Sequence, residues 1–370
     1  MFESEVWTKV PFHFWSSVLF WFGCMVGSFL NVCIYRMPLN KSVISPPSHC
    51  PHCNYSIPFY LNVPLVTWLM LRGKCANCRA PISVRYLLVE LLTGVLFLAC
   101  WLIYGQQSPA VALVLCLVMA GLITATFIDL SHFIIPDEIT YGGMAAGFVC
   151  SFAVPALHGL PGDRPKSLLA SVIGMAVGGL IVQFVRVAGK LAFGRRKIAF
   201  AGDTTVFFGE NGVVLPDQEI PYEDIFYRKT DVIRFHARRL ELPDRCFTNV
   251  AVALSPEKLV IGTETFTPEP HLYLEAVMDR LVLPRDAMGF GDVTFMAAIG
   301  AFLGWQATVF SLVVSSFLGA ILGGLLILLR RHERSSPIPY GPYIAAAAAL
   351  WVFAGQEIMV WFKAYMGMER

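Results

Sequence analysis

Charge is what this sequence has least of. Asp, Glu, Lys and Arg make up 15% of its 370 residues, while 56% are hydrophobic and mean hydropathy is +0.61. So little charge excludes a single water-soluble domain and points to a polytopic membrane protein. The formal net charge of +2 is too small to recruit nucleic acid, and the chain has neither a basic tail nor a heptad array. A strand-linked Gly-x-Gly-x-x-Gly cradle for a nucleotide-type group is also missing. The first apolar run, residues 12–34, has no small-residue cleavage site, and Arg36 and Lys41 follow it rather than precede it. It reads as a retained first helix, not a signal peptide.

Apolar runs fill the space left by charge. They cover residues 12–34, 85–104, 109–128, 138–157, 168–193, 292–304, 306–330 and 341–363. Apart from the short 292–304, each is near the ~20 residues that a bilayer crossing needs. The expected fold is an all-α polytopic membrane protein of about eight transmembrane helices. Basic residues set its orientation. Arg36, Lys41, Arg72, Lys74, Arg79 and Arg85, then Arg195, Arg196 and Lys197, then Arg330, Arg331 and Arg334 share one side if the helices alternate. That side is predicted to be cytoplasmic, with Arg164 and Lys166 as an exception across the membrane. Gly143/Gly147, Gly174/Gly178 and Gly319/Gly323 recur at four-residue spacing, a pattern of close helix packing rather than of ligand binding.

Of ten cysteines, six are scattered and four form a set, Cys50-Pro-His-Cys53 and Cys75-Ala-Asn-Cys78. Two such knuckles offer four thiolates to one tetrahedral zinc, and four protein ligands leave no open position, so the metal would be structural. Redox disulfides or unrelated thiols are the competing reading, and a reducing cytoplasmic side weighs against the first. His49 and His52 are expected to stay solvated. Cys246 is expected to be a packed thiol.

The acids that matter are few. Asp292 stands behind Gly289 and Gly291 at the head of an apolar run, and Asp129 ends another, in Phe127-Ile128-Asp129-Leu130. An ionisable group at membrane depth is a functional candidate by default. The glycines allow close backbone approach. Both acids fall at the same predicted face, where they would share a proton and activate a water for attack on a carbonyl. A carboxylate-relay transporter is the rival chemistry, and acids at helix ends rather than mid-membrane disfavour it. Asp137, after Pro136, is expected to cap its helix, and it competes as partner to Asp129. Glu90 lies within the second helix and needs a partner there.

The stretch from 195 to 287 departs in composition. Thr204–Phe208 and Gly212–Leu215 read as a hairpin around Asn211-Gly212, and Asn249–Leu254 and Leu259–Phe266 as a second around Ser255–Lys258. His271–Val282 has helical periodicity. The expectation is an inserted soluble α+β domain. The predicted divisions are residues 1–34, a first transmembrane helix; 35–84, a small cytoplasmic zinc-binding loop domain; 85–194, helices two to five; 195–287, the insert; and 288–370, helices six to eight.

Together these motifs resemble the bacterial type IV prepilin peptidases. The resemblance is carried by Gly27-Ser-Phe-Leu-Asn-Val-Cys-Ile-Tyr-Arg36, the paired cysteine knuckles, Arg85–Glu90, Ile128-Asp129 with Ile135-Pro136-Asp137, Gly289–Asp292 and Pro339-Tyr340-Gly341-Pro342. The glycine-flanked aspartate alone is also similar to that of presenilin-type proteases. The resemblance implies an inner-membrane aspartic endopeptidase, multi-pass, with its active site at the cytoplasmic face. It would cleave the leader of type IV prepilins and type II secretion pseudopilins, then methylate the new N-terminus with S-adenosylmethionine. By the same resemblance Asp129 and Asp292 are catalytic, Gly289, Gly291 and Asp137 support them, and Cys50, Cys53, Cys75 and Cys78 bind zinc. Glu90 is a candidate for the methyl-donor site. The insert departs from the family pattern and would serve a pilus or secretion assembly partner, or gate access to Asp292. A catalytically inactive scaffold for pilus or secretion assembly is the non-enzymatic alternative.

Overall fold

The computed structural model describes residues 11–193, 195–216, 218–222, 225–226, 231–267, 273–284, 288–329 and 339–365. The chain forms two compact units, Met1–Gln183 with Gly289–Arg370, and Phe184–Met288.

The first unit is helical. Its helices are α1 (Phe12–Arg36), the short α2 (Val66–Met70), α3 (Val84–Tyr104), α4 (Pro109–His132), α5 (Asp137–Ala153), α6 (Arg164–Phe193, whose residues from Phe184 belong to the second unit), α7 (Phe290–Leu328) and α8 (Gly341–Tyr365). Among the described residues, five are long and apolar enough to cross a membrane: those at Phe12–Leu39, Val84–Tyr104, Pro109–His132, Arg164–Leu191 and Phe290–Leu325. Local chemistry sets the helix starts. The Ser83 hydroxyl accepts the Arg85 N–H at 3.2 Å. Ser108 does the same for Val111, just before a proline that opens α4, and such caps satisfy donors that the helix itself leaves free. Asp137 departs from expectation here. Pro136 occupies the cap position with no side-chain bond, and Asp137 is an exposed first-turn residue.

α7 is two helices in one. Gly304 inside it has φ 79° and ψ 175°. A Cβ on Gly300 would stand 2.9 Å from Thr308 Cγ2. In a continuous helix, residues eight apart are separated by about 12 Å along the axis, so the chain reverses at Gly304 into two arms. This break agrees with the predicted division between 292–304 and 306–330. The carbonyl of Ala301, just before the reversal, accepts the Ser171 hydroxyl at 2.9 Å and the Ser151 hydroxyl at 3.3 Å. Ser151 also bonds His158 Nε2 at 2.9 Å.

Two of the three glycine pairs make close helix contacts. Cβ atoms at Gly174 and Gly178 would stand 2.1 Å and 2.5 Å from the Gly300 and Met296 carbonyl oxygens, and one at Gly147 would stand 2.6 Å from the Ala301 Cβ. Gly319 differs. It faces the rings of Tyr343 and Tyr340 at 3.6–3.8 Å, an ordinary contact.

The second unit is a sheet of eight antiparallel strands: β1 (Arg195–Phe208), β2 (Gly212–Val214), β3 (Glu219–Pro221), β4 (Ile233–Glu241), β5 (Cys246–Leu254), β6 (Leu259–Ile261), β7 (Glu264–Phe266) and β8 (Leu274–Pro284). Their spatial order is β3-β2-β1-β8-β4-β5-β6-β7. Both predicted turns are present, with Phe208 opposite Val213 and Leu254 opposite Leu259; the predicted arm Leu259–Phe266 is instead two strands, β6 and β7, folded back on each other across Gly262. The predicted helix at 271–282 is not. Leu274 onward is strand β8, paired with β1 and β4, while His271 and Leu272 lie outside the described residues. The α+β expectation is therefore corrected to an all-β unit among the described residues. The error has a physical source. Leu274, Ala276 and Met278 alternate into the core, then Asp279 and Arg280 both face outward before Leu281 and Leu283 resume. That break in the two-residue alternation puts Leu274, Met278 and Leu281 at helical spacing. Phe208 and Phe235 stack at the centre of the core, ring centroids 4.9 Å apart. Cys246, expected to be packed, is exposed at the start of β5.

Candidate active site and metal site

Asp129 lies one turn before the end of α4, which runs past the predicted boundary to His132. Asp292 sits in the first turn of α7. The fold buries both, leaving them 5% and 9% exposed. Asp129 Oδ2 accepts the backbone N–H of Gly341 at 2.8 Å, across 212 residues of sequence. That N–H opens α8, where first-turn donors have no partner inside the helix and the dipole favours an anion. The Asp292 carboxylate takes a hydrogen bond from the backbone of Gly289, and the two acids are close enough to interact electrostatically.

Ile135, in the α4–α5 connection, links the two sides. Its Cβ is 3.3 Å from where a Gly291 side chain would begin, and its Cδ1 is 3.2 Å from the same point at Gly341. A Cβ on Gly341 would fall 2.7 Å from Asp129 Oδ2, so a side chain there is excluded by the carboxylate it serves. The structure thus gathers Asp129, Gly291, Asp292, Ile135 and Gly341 at one end of the bundle. Gly289 belongs to the same group, while Asp137 stays exposed. The roles of Ile135 and Gly341 were not read from sequence. The glycine before Pro342, at the head of an apolar run, was the available signal.

The cysteines form a second, separate cluster. Sulfur atoms of Cys50, Cys53, Cys75 and Cys78 all lie within 4.8 Å of one another, and none is in a disulfide. Each knuckle is closed by the same bonds. Cys50 N–H donates to Tyr55 O and Asn54 N–H to Cys50 O; Cys75 N–H donates to Ala80 O and Arg79 N–H to Cys75 O. Asn54 and Arg79 both take positive φ, 54° and 62°. Cys50 and Cys78 sulfurs are 3.8 Å apart. A tetrahedral ion with metal–sulfur bonds of about 2.3 Å sets its sulfurs at roughly this separation. The cluster therefore fits a metal ion. Backbone N–H groups of Cys78 and Asn77 pull the Cys75 thiol down to about 6, and that of Tyr55 pulls Cys53 below its usual value; against the pull of the Ala80 backbone, desolvation and the neighbouring sulfurs push Cys78 up to about 11, so two of the thiols favour the thiolate and Cys78 keeps its proton unless a metal displaces it. His49 and His52 remain exposed.

Glu90 is buried in α3. It accepts the Leu65 N–H at 2.8 Å and the Ser28 hydroxyl, so its oxygens tie the loop before α2 to helices α1 and α3. Arg36, also buried, holds the same loop region by donating to Ser42 O at 3.0 Å and Pro46 O at 2.7 Å.

Two family profiles match parts of the chain. The profile of the bacterial peptidase A24 N-terminal domain matches residues 21–104, which hold the cysteine cluster and Glu90. That of the type IV leader peptidase family matches residues 259–324, which hold Asp292. A type 4 prepilin-like proteins leader peptide-processing enzyme of Escherichia coli is 37% identical over 204 residues, covering 50% of this chain and 71% of that one. The chain belongs to the type IV leader peptidase family, a family of enzymes. Further relatives in this family are prepilin leader peptidase/N-methyltransferases. That of Myxococcus xanthus is 43% identical over 188 residues, covering 50% of this chain and 52% of its own. That of Aeromonas hydrophila is 29% identical over 375 residues, covering 94% and 93%. No solved structure matches.

Proposed function

We propose that this leader peptidase family member is an aspartic endopeptidase that cleaves the leaders of type IV prepilins and type II secretion pseudopilins. The observation that carries this is the convergence of Asp129 and Asp292 in one buried, glycine-lined site at helix ends. Two neighbouring buried carboxyls cannot cheaply carry two charges, so they share a proton. In that state the ionised acid takes a proton from a water, which attacks the scissile carbonyl. The protonated acid donates to the carbonyl oxygen; as the diol collapses, the first acid passes the proton it took from water to the leaving amine, and the second recovers its proton from the diol hydroxyl. Gly341 N–H holds Asp129 and the Gly289 backbone holds Asp292, so neither carboxyl has to reorganise as charge moves.

The remaining assignments follow the same reading. The eight long helical segments, counting the two arms of α7, cross the bacterial inner membrane with the dyad at the cytoplasmic face, the side marked by basic loops. The four thiolates hold a structural zinc, which stiffens the 35–84 loop domain. Methylation of the new N-terminus by S-adenosylmethionine is the second activity, supported by the names of the relatives. Glu90 is assigned to the packing of the loop domain rather than to the methyl donor, because its oxygens already serve Leu65 and Ser28. The sheet unit is read as an insert offering a surface to pilus or secretion assembly proteins.

The test is cleavage of a prepilin by the purified protein in detergent. Wild type should cut, and Asp129→Asn and Asp292→Asn should each lose at least about a thousandfold in kcat while still methylating a pre-cut substrate. Normal cutting by either variant removes that acid from the reaction.

A further inference from the structure

We propose that Tyr340 is a positioning residue for Asp129, acting through the hydrogen bond that anchors the start of α8. The proposal rests on reading Asp129 as catalytic. Tyr340 immediately precedes Gly341, whose N–H holds the Asp129 carboxylate at 2.8 Å. Its own carbonyl begins α8, accepting the N–H of Tyr343 at 3.1 Å and of Ile344 at 3.3 Å. The direction in which the Gly341 N–H points is therefore set by how Tyr340 is held.

It is held by the second arm of α7. The phenol oxygen lies 2.9 Å from Ser315 Oγ and 3.1 Å from Ser316 Oγ. Both serine hydroxyls donate to the same carbonyl, that of Leu312, at 3.0 Å and 2.8 Å. With both serine protons directed at that carbonyl, the arrangement is completed when the phenol gives its single proton to the serine oxygens. Ser315 is fully buried, which shields that end of the contact from water, while Tyr340 is half-buried and Ser316 exposed. The Tyr343 ring packs edge-on against Tyr340, centroids 6.2 Å apart, and restricts the phenol further.

The chain of contacts runs from Leu312 through the serine pair and Tyr340 to Gly341 and Asp129. Without the hydroxyl, the ring still fills its place, but the α8 start is free to shift against the second arm of α7. A carboxylate misplaced by a fraction of an ångström loses rate, not substrate affinity. Tyr340 thus acts on kcat without touching the substrate.

The experiment compares steady-state prepilin cleavage by the full-length protein as wild type, Tyr340→Phe, Ser315→Ala/Ser316→Ala, the triple variant and Asp129→Asn. Tyr340→Phe should lower kcat about tenfold, as expected for one buried positioning hydrogen bond, with KM within about twofold of wild type. The serine pair variant should show the same loss, and the triple variant should add nothing to it. Wild-type kcat in Tyr340→Phe overturns the proposal, as does a loss confined to KM, which would make Tyr340 a substrate contact. If Tyr340→Phe does not accumulate in folded form, the serine pair variant decides by the same criterion. Normal cleavage by Asp129→Asn instead removes the dyad reading beneath the proposal, and a dead Asp129→Asn with unimpaired Tyr340→Phe removes the Tyr340 proposal alone.

Discussion

Cys50, Cys53, Cys75 and Cys78 reach their places through two short turns closed by the same backbone bonds. Asp129 and Asp292 are placed by the end of α4, the α4–α5 connection, the start of α7 and the start of α8, with one key bond spanning 212 residues. The first kind of site depends on local conformation, and each half can form before the other arrives. The second exists only when three helix ends and one connection have docked, so any helix that shifts moves the acids with it. A metal site needs its ligands near one another within the tolerance of flexible side chains. A proton-sharing pair needs buried acids held by rigid backbone.

The sharpest way to break this contrast is at the knuckles. Cys75→Ser should take metal content from one equivalent per chain to none, measured by atomic emission on purified protein. Binding of structural zinc is worth about 10 kcal/mol or more in small domains, so protease sensitivity should rise between residues 48 and 82 and not within α4 or α7. A folded wild type without stoichiometric metal would refute the assignment.

Gly341→Ala probes the long-range site. The added methyl would fall 2.7 Å from Asp129 Oδ2, so the carboxylate must move. We expect kcat for leader cleavage to fall about a hundredfold, with full zinc content and a melting temperature close to wild type. A variant that cuts normally would mean that Asp129 is not held where it acts.

Glu90→Ala joins the two regions, because Glu90 ties the loop before α2 to α1 and α3. Leaving the Leu65 N–H without its acceptor should cost about 1–3 kcal/mol of stability in thermal or denaturant melts. Affinity for S-adenosylmethionine should be unchanged. A selective loss of that affinity at normal stability would return Glu90 to the methyl-donor site. The smallest effect belongs to the sheet unit. Exposed Cys246→Ser should alter stability by less than about 0.5 kcal/mol, while native Cys246 reacts readily with a water-soluble maleimide.

What could be read without the structure was whatever short spacing encodes. The length of apolar runs located the helices to within a few residues, and the division between 292–304 and 306–330 coincides with the break at Gly304. Two Cys-x-x-Cys pairs implied a metal cluster because each pair occupies a single turn. Hairpins at Asn211-Gly212 and at Ser255–Lys258 followed from turn chemistry and flanking alternation. Strand β8 was misread, because an irregularity at Asp279-Arg280 shifts the alternation by one residue, and only pairing with β1 and β4 supplies the correct phase. Asp137 competed as partner to Asp129 by position, and docking leaves it exposed while burying Asp129 and Asp292.

Sequence alone determined which residues are chemically able to act: few charges, four spaced thiols, two acids beside glycines or helix ends. Only the tertiary structure decided that Gly341 gives its N–H to Asp129, that Ile135 bridges to Gly291, and that Tyr340 is tied to Ser315 and Ser316. The reason is physical. Residue type and local spacing are properties of a few neighbouring residues, whereas the direction of a helix's first N–H depends on how that helix packs against segments far away in the chain.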